Sequence, residues 1–266
     1  MSDRRPTHPT FRDLLRPGIR GVRANWRPFV LLQLVAFAVV VSYYQVDFVR
    51  EALSHLEQLK ERHGYLFAGA ASAIAGALLP EAAKLVIQPG FRLRDRGEEV
   101  LFLLVLFFFN GMLVDGFYRL VGHLFGSGID VPTVLGKTLV DMLGFTPFVA
   151  LPIVMFAFAI RRHGYRPMDG VREVVGTGPV AWYLKRVVPI LLPNWAFWVP
   201  MVLLIYSMPS GLQIVMFAGA LSAWSLVMVF IGNDEAAEQV LDVDPNDSQS
   251  QPSVILSERS ESKDLA

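Results

Sequence analysis

Residues 136–160 read GKTLVDMLGFTPFVALPIVMFAFAI. Lys137 and Asp141 stand one helical turn apart at the head of a run otherwise apolar enough to lie in hydrocarbon. About 20 such residues span a bilayer core about 30 Å thick, and this run belongs to a stretch from about 134 to 160 that is long enough. Five others resemble it: 29–44 (FVLLQLVAFAVVVSYY), 65–87 (YLFAGAASAIAGALLPEAAKLVI), 100–125, about 190–206, and 212–231. The sequence therefore predicts an all-α polytopic membrane protein of about six spans.

Composition agrees. The 266 residues are 53% hydrophobic and 18% charged, with mean hydropathy +0.42, against about a quarter charged in soluble domains. The chain has no cysteine, which excludes disulfides, thiolate metal sites and cysteine nucleophiles. Its formal net charge is zero, so nothing draws it to nucleic acid. The partner implied is the lipid bilayer.

Four regions follow. Residues 1–28 form a basic tail with Arg4, Arg5, Arg12, Arg16, Arg20, Arg23 and Arg27. Residues 29–63 hold the first span and an amphipathic helix with Val46, Phe48, Val49, Leu53, Leu56 and Leu59 at helical spacing. Residues 64–231 form the main membrane domain, and 232–266 an acidic, polar tail expected to be disordered. The long charged start and the missing A-x-A-like site favour an uncleaved first helix over a signal peptide. Asp3 and Asp13 count against a mitochondrial presequence.

Loop charges set the orientation. Arg92, Arg94, Arg96, Arg161, Arg162, Arg166, Arg172, Lys185 and Arg186 fall on one side with the N-terminus, and the turns at 126–132 and 207–211 hold no Lys or Arg. The positive-inside rule then gives N-in, C-in. Only 45–64 dissents, with Arg50, Lys60 and Arg62 among acidic neighbours.

Three spans carry opposite charges one turn apart: Glu81 with Lys84, Asp115 with Arg119, and Lys137 with Asp141. Such spacings share a helical face. A lone charge at mid-bilayer costs at least about 2.5–3.5 kcal/mol, so these groups should face inward and pair. The third and fourth spans are antiparallel neighbours. Asp115 and Asp141 fall at similar depth, and the diagonals Asp115–Lys137 and Arg119–Asp141 would close a four-charge cluster. Glu81 and Lys84 would lie in the inner half. Three readings fit: ion pairs fixing helix register, a polar lining for a water-filled path, or local snorkelling by Lys137 and Lys84.

No H-E-x-x-H, G-x-S-x-G or Gly-rich phosphate loop is present, and the five histidines are scattered. No enzyme, metal or cofactor is expected. In the second span Gly69, Ala73 and Gly76 form a small-residue face suited to close helix packing within a monomer or a homo-oligomer. The segment PNWAFWVPMVLLIYSMPSGLQ (193–213) carries three prolines that kink or end helices, and its Trp195 and Trp198 suit interfacial anchoring.

In order along 64–231, three motifs resemble those of the Mpv-seventeen family, which includes the twenty-two-kilodalton peroxisomal membrane protein. Gly111, Asp115, Phe117 and Tyr118 fall on G-x-x-x-H-x-W-Y, with Asp in place of His. Lys137, Asp141 and Pro147 fall on K-x-x-x-D-Q and its later proline, with Met142 replacing Gln. Asn194, Trp195, Trp198, Tyr206, Pro209 and Trp224 follow the last, tryptophan-rich motif, where Val202 and Ile205 replace Gln and Asn. The resemblance implies a helical organelle-membrane protein with relatives suggested to form weakly selective channels for small metabolites. Together with the interior charge pairs as a path lining, the expectation is a weakly selective channel or passive transporter for small hydrophilic solutes. A non-transporting scaffold locked by those pairs is the alternative. A bacterial or a mitochondrial inner membrane fits the charge pattern, while the terminal KDLA is not the peroxisomal S-K-L.

Overall fold

The second span shows how the bundle is built. In the computed structural model, which describes residues 11–88 and 90–241, Tyr65–Ile87 lies along the third span, Leu93–Phe125. The two backbones meet because glycines leave room. A Cβ on Gly69 would lie 2.8 Å from the Phe108 ring, and one on Gly76 would lie 2.6 Å from Phe107. Gly111 of the third span sits against Ser72 and the Ala68 carbonyl in return. The small-residue face is thus used inside the chain.

Among the described residues, five helices are long and apolar enough to cross a membrane: Trp26–Gln45, Tyr65–Ile87, Leu93–Phe125, Val131–Arg162 and Val188–Tyr206. Where a sixth span was expected at 212–231, a shorter apolar stretch, Ser210–Leu226, opens the helix Ser210–Leu241 and is called the sixth span for its place in the chain. No strand occurs among the described residues. Leu101, Phe109 and Phe148 are exposed on the outside of the bundle, as lipid-facing side chains would be. The protein is an all-α, multi-pass membrane protein.

The fifth span, Val188–Tyr206, is the axis of the core. Phe197, Met201, Ile205 and Tyr206 are almost fully buried. The first span lies along it, with Phe29 edge-on to Phe197 at 5.6 Å and also against Trp224. The sixth span closes the other side, where Trp198 stacks on Phe217 at 5.5 Å. The amphipathic helix is present as Asp47–His63. Leu53 packs it onto Val40, Met208 and Leu212, while Phe48 and Leu56 stay exposed.

The prolines explain the long-range hydrogen bonds. Pro200 lacks the N–H that would bond the Ala196 carbonyl four residues back, and the Gln33 amide of the first span donates to that carbonyl at 3.0 Å. In the fourth span, Asp141–Ala150 widens into π-helical turns, where bonds reach five residues back. In that register Pro147 leaves the Met142 carbonyl free, and the Trp195 indole donates to it at 2.9 Å. Pro152 likewise leaves the Pro147 carbonyl free, and the Tyr183 hydroxyl donates to it at 3.1 Å. Each vacancy is filled by a side chain from another helix.

These contacts correct three expectations. Trp195 and Trp198 face the interior and are not interfacial anchors; Trp198 is buried among aromatic rings. Residues 11–28, expected as tail, are helical and continuous with the first span. Helix also continues from the sixth span to Leu241, so the acidic segment begins helical, while 242–266 lie outside the described residues.

Candidate functional site

Of the three expected pairs, two form. Lys84 donates to Glu81. Asp115, 1% exposed, accepts from Arg119 Nε at 2.8 Å. Its other oxygen faces Lys60 Nζ of the amphipathic helix at 3.5 Å. Arg119 also lies over the Tyr65 ring at 4.6 Å. Lys60 therefore takes the place expected for Lys137, because the amphipathic helix folds back onto the third span.

Lys137 and Asp141 are both buried but do not pair, and the four-charge cluster does not form. Among the described residues Lys137 has no carboxylate at ion-pair distance; its ammonium lies 5.9 Å from the Tyr206 ring centroid. Asp141 opens the π-helical stretch, where residues five apart share a face. Its Oδ1 accepts from the Thr146 hydroxyl at 3.1 Å and its Oδ2 from the buried Tyr206 hydroxyl at 2.9 Å. Among the described residues, the side chains of Lys137 and Asp141 thus share Tyr206 as a neighbour and make no ion pair.

Asp141 lines a cavity of about 160 Å³ between the third, fourth, fifth and sixth spans. Thr146, Asn110 and Asn194 add polar groups, and the remaining walls are largely aromatic or aliphatic, with Tyr118, Trp198 and Trp224 among them. The Asn194 Oδ1 is buried without a hydrogen-bond partner. Asp141 stands ten residues into Val131–Arg162, or about 15 Å along at 1.5 Å per residue, so the cavity lies well inside the spans. Of the other motif positions, Tyr118 meets Tyr206 edge-on at 5.3 Å and Phe117 stacks on Phe145 at 4.0 Å. Gly111 serves the helix crossing, and Pro209 lies in the turn between the fifth and sixth spans.

Glu81 anchors a separate chain of charges. It is 1% exposed, and its second oxygen faces Arg96 Nε at 3.4 Å. Arg96 pairs with Glu99 at 2.6 Å, and Glu99 pairs with Arg161 at the end of the fourth span. This network joins the second, third and fourth spans at one end of the bundle.

Outside the spans, Glu173 of the helix Pro167–Thr177 holds the same end together. It accepts from Arg162 at 3.0 Å, Arg186 at 3.2 Å and Trp182 Nε1 at 3.3 Å, and meets His163 Nε2 at 3.0 Å. Burial pushes its carboxyl up, but the His163 hydrogen bond and the Arg162 and Arg186 charges outweigh that and leave it below its usual range.

Sequence spacing identified Glu81, Lys84, Asp115 and Arg119 as paired and Asp141 as interior. It missed Lys60, Arg96, Glu99 and Thr146. Thr146 carried a signal, since a buried proline next to it marks the widened helix; Lys60 carried none. No protein-family model, curated protein or solved structure matches the chain.

Proposed function

We propose that this membrane protein passes small hydrophilic solutes passively, with the Asp141 cavity as the point where a solute rests within the bilayer. The observation that carries this reading is the Asn194 oxygen, buried and unpartnered beside space large enough for a small molecule. Leaving such a group unpaired costs about 1–3 kcal/mol, a cost a visiting solute or water removes. Asp141 is already held by two hydroxyls, and a carboxylate has about four acceptor positions, so it keeps capacity to bind. The resemblance of Lys137, Asp141 and Pro147 to a motif of the Mpv-seventeen family points the same way. The charge pattern fits a bacterial or mitochondrial inner membrane with both termini inside.

The test is single-channel current from purified protein in planar bilayers, wild type beside Asp141→Asn. Reproducible conductance with an ion preference shifted in the variant supports passage through the cavity. Silent bilayers from correctly folded protein refute it. One observation favours a second reading, a scaffold: the Lys60–Asp115–Arg119 and Glu81–Arg96–Glu99–Arg161 networks line no part of the cavity and join helices instead. Silent bilayers would leave that reading standing.

A further inference from the structure

The walls of the cavity carry a definite chemical preference. Asp141 is 4% exposed, and no Lys or Arg lies at ion-pair distance from it among the described residues. Lys137, its nearest cation in sequence, does not line the cavity. Asn194, 9% exposed, presents a second acceptor with no donor to meet it. The Thr146 hydroxyl is already donated to Asp141. What the lining lacks is a positive charge.

The rings supply the other half of the pattern. Tyr118, Trp198, Phe217 and Trp224 all line the same cavity. Aromatic faces attract a desolvated cation, Trp most strongly, by about 2 kcal/mol or more when water is excluded. An anion would meet the negative ring faces and a carboxylate together. A neutral apolar molecule would leave the Asn194 oxygen unpaired and the Asp141 charge without a counter-ion. Size adds a bound: about 160 Å³ is close to the roughly 150 Å³ engineered cavity that holds benzene, so the occupant is small.

We propose that the cavity is a binding site for small organic ammonium ions, the ammonium donating to Asp141 and Asn194 Oδ1 while its alkyl part rests among the rings. This rests on the reading of the cavity as a solute site and names the class of solute. Charge-assisted hydrogen bonds contribute about 1.5–3 kcal/mol, which converts to a tenfold or greater preference for the ammonium over a neutral isostere at 1.4 kcal/mol per decade.

The probe is butylammonium at pH 7, against 1-butanol and butyrate, added to purified protein in detergent. Binding is read from tryptophan fluorescence, because Trp198 and Trp224 line the cavity. Butylammonium is expected to saturate at a concentration at least about tenfold below butanol, with no saturable signal from butyrate. Asp141→Asn is expected to abolish that preference, and Asn194→Leu to weaken butylammonium more than butanol, since charge-assisted hydrogen bonds are the stronger. If Asp141→Asn fails to fold, Asn194→Leu decides. Equal binding of the three probes, tighter binding of butyrate, or an unchanged preference in Asn194→Leu overturns the proposal. Silent bilayers together with an ammonium preference would refute passage and leave the binding site standing; conductance without that preference would do the reverse.

Discussion

Lys60 is the least expected partner in the molecule, and removing its counter-charge gives a worked case. Asp115→Asn keeps the shape of the side chain and deletes the charge that faces Lys60 at 3.5 Å and Arg119 at 2.8 Å. The two cations respond differently. Arg119 has 46% of its side chain exposed and stands about 9 Å from the end of its span at 1.5 Å per residue, within reach of interfacial water, so the loss there is about 0–1 kcal/mol. Lys60 has 11% exposed and is left as an uncompensated, nearly buried charge. Breaking a buried pair in this way costs about 3–5 kcal/mol, and the lower end applies because a tenth of the side chain still reaches solvent. The double variant Lys60→Met/Asp115→Asn removes the stranded cation and should recover most of the loss. Reversible unfolding in mixed micelles titrated with dodecyl sulfate, followed by tryptophan fluorescence, measures both. A cost under about 1 kcal/mol for Asp115→Asn, or no recovery in the double variant, would refute the pairing.

Two further outcomes follow from close geometry and from charge. Gly111→Ala would place a methyl against the Ala68 carbonyl and Ser72, so a loss of about 1–3 kcal/mol is expected in the same unfolding assay, whereas Gly122→Ala, with nothing within 4 Å, should be neutral or better. The Glu173 carboxyl sits below its ordinary 4.5 in the folded protein, so its stabilising contribution is complete above that value and is lost as pH falls through the lower, folded one. In a variant keeping Trp182 as its sole tryptophan, the emission should therefore shift only below pH 4.5, and a Glu173→Gln background should abolish the shift.

The spans were legible because bilayer thickness fixes the length of an apolar run, and no tertiary contact enters that argument. The ion pairs on regular helix were legible too: Glu81 with Lys84 and Asp115 with Arg119 follow from three- and four-residue spacing alone. Lys137 and Asp141 obey the same spacing and do not pair, because a widened helix begins at Asp141 and turns its carboxylate toward Thr146. Trp198 was misread because aromatic partners from two spans bury it, and Trp195 for a reason related to the widened helix. Sequence shows an amphipathic ring and leaves unstated that a proline elsewhere has freed a carbonyl for its N–H. The cavity itself depends on four spans meeting, and no local pattern encodes that.

The bond from Gln33 to the Ala196 carbonyl joins residues 163 positions apart. Chains are made from the N-terminus, so the first span must enter the bilayer long before its partner exists. Until the fifth span arrives, the Gln33 amide has no proline-freed carbonyl to meet, and on arrival the Ala196 carbonyl needs a donor that hydrocarbon cannot give. Closure of the bundle is consequently a late event in biosynthesis, and each of the two groups remains incomplete without the other. The first span thereby carries one half of a bond that only the fifth span completes.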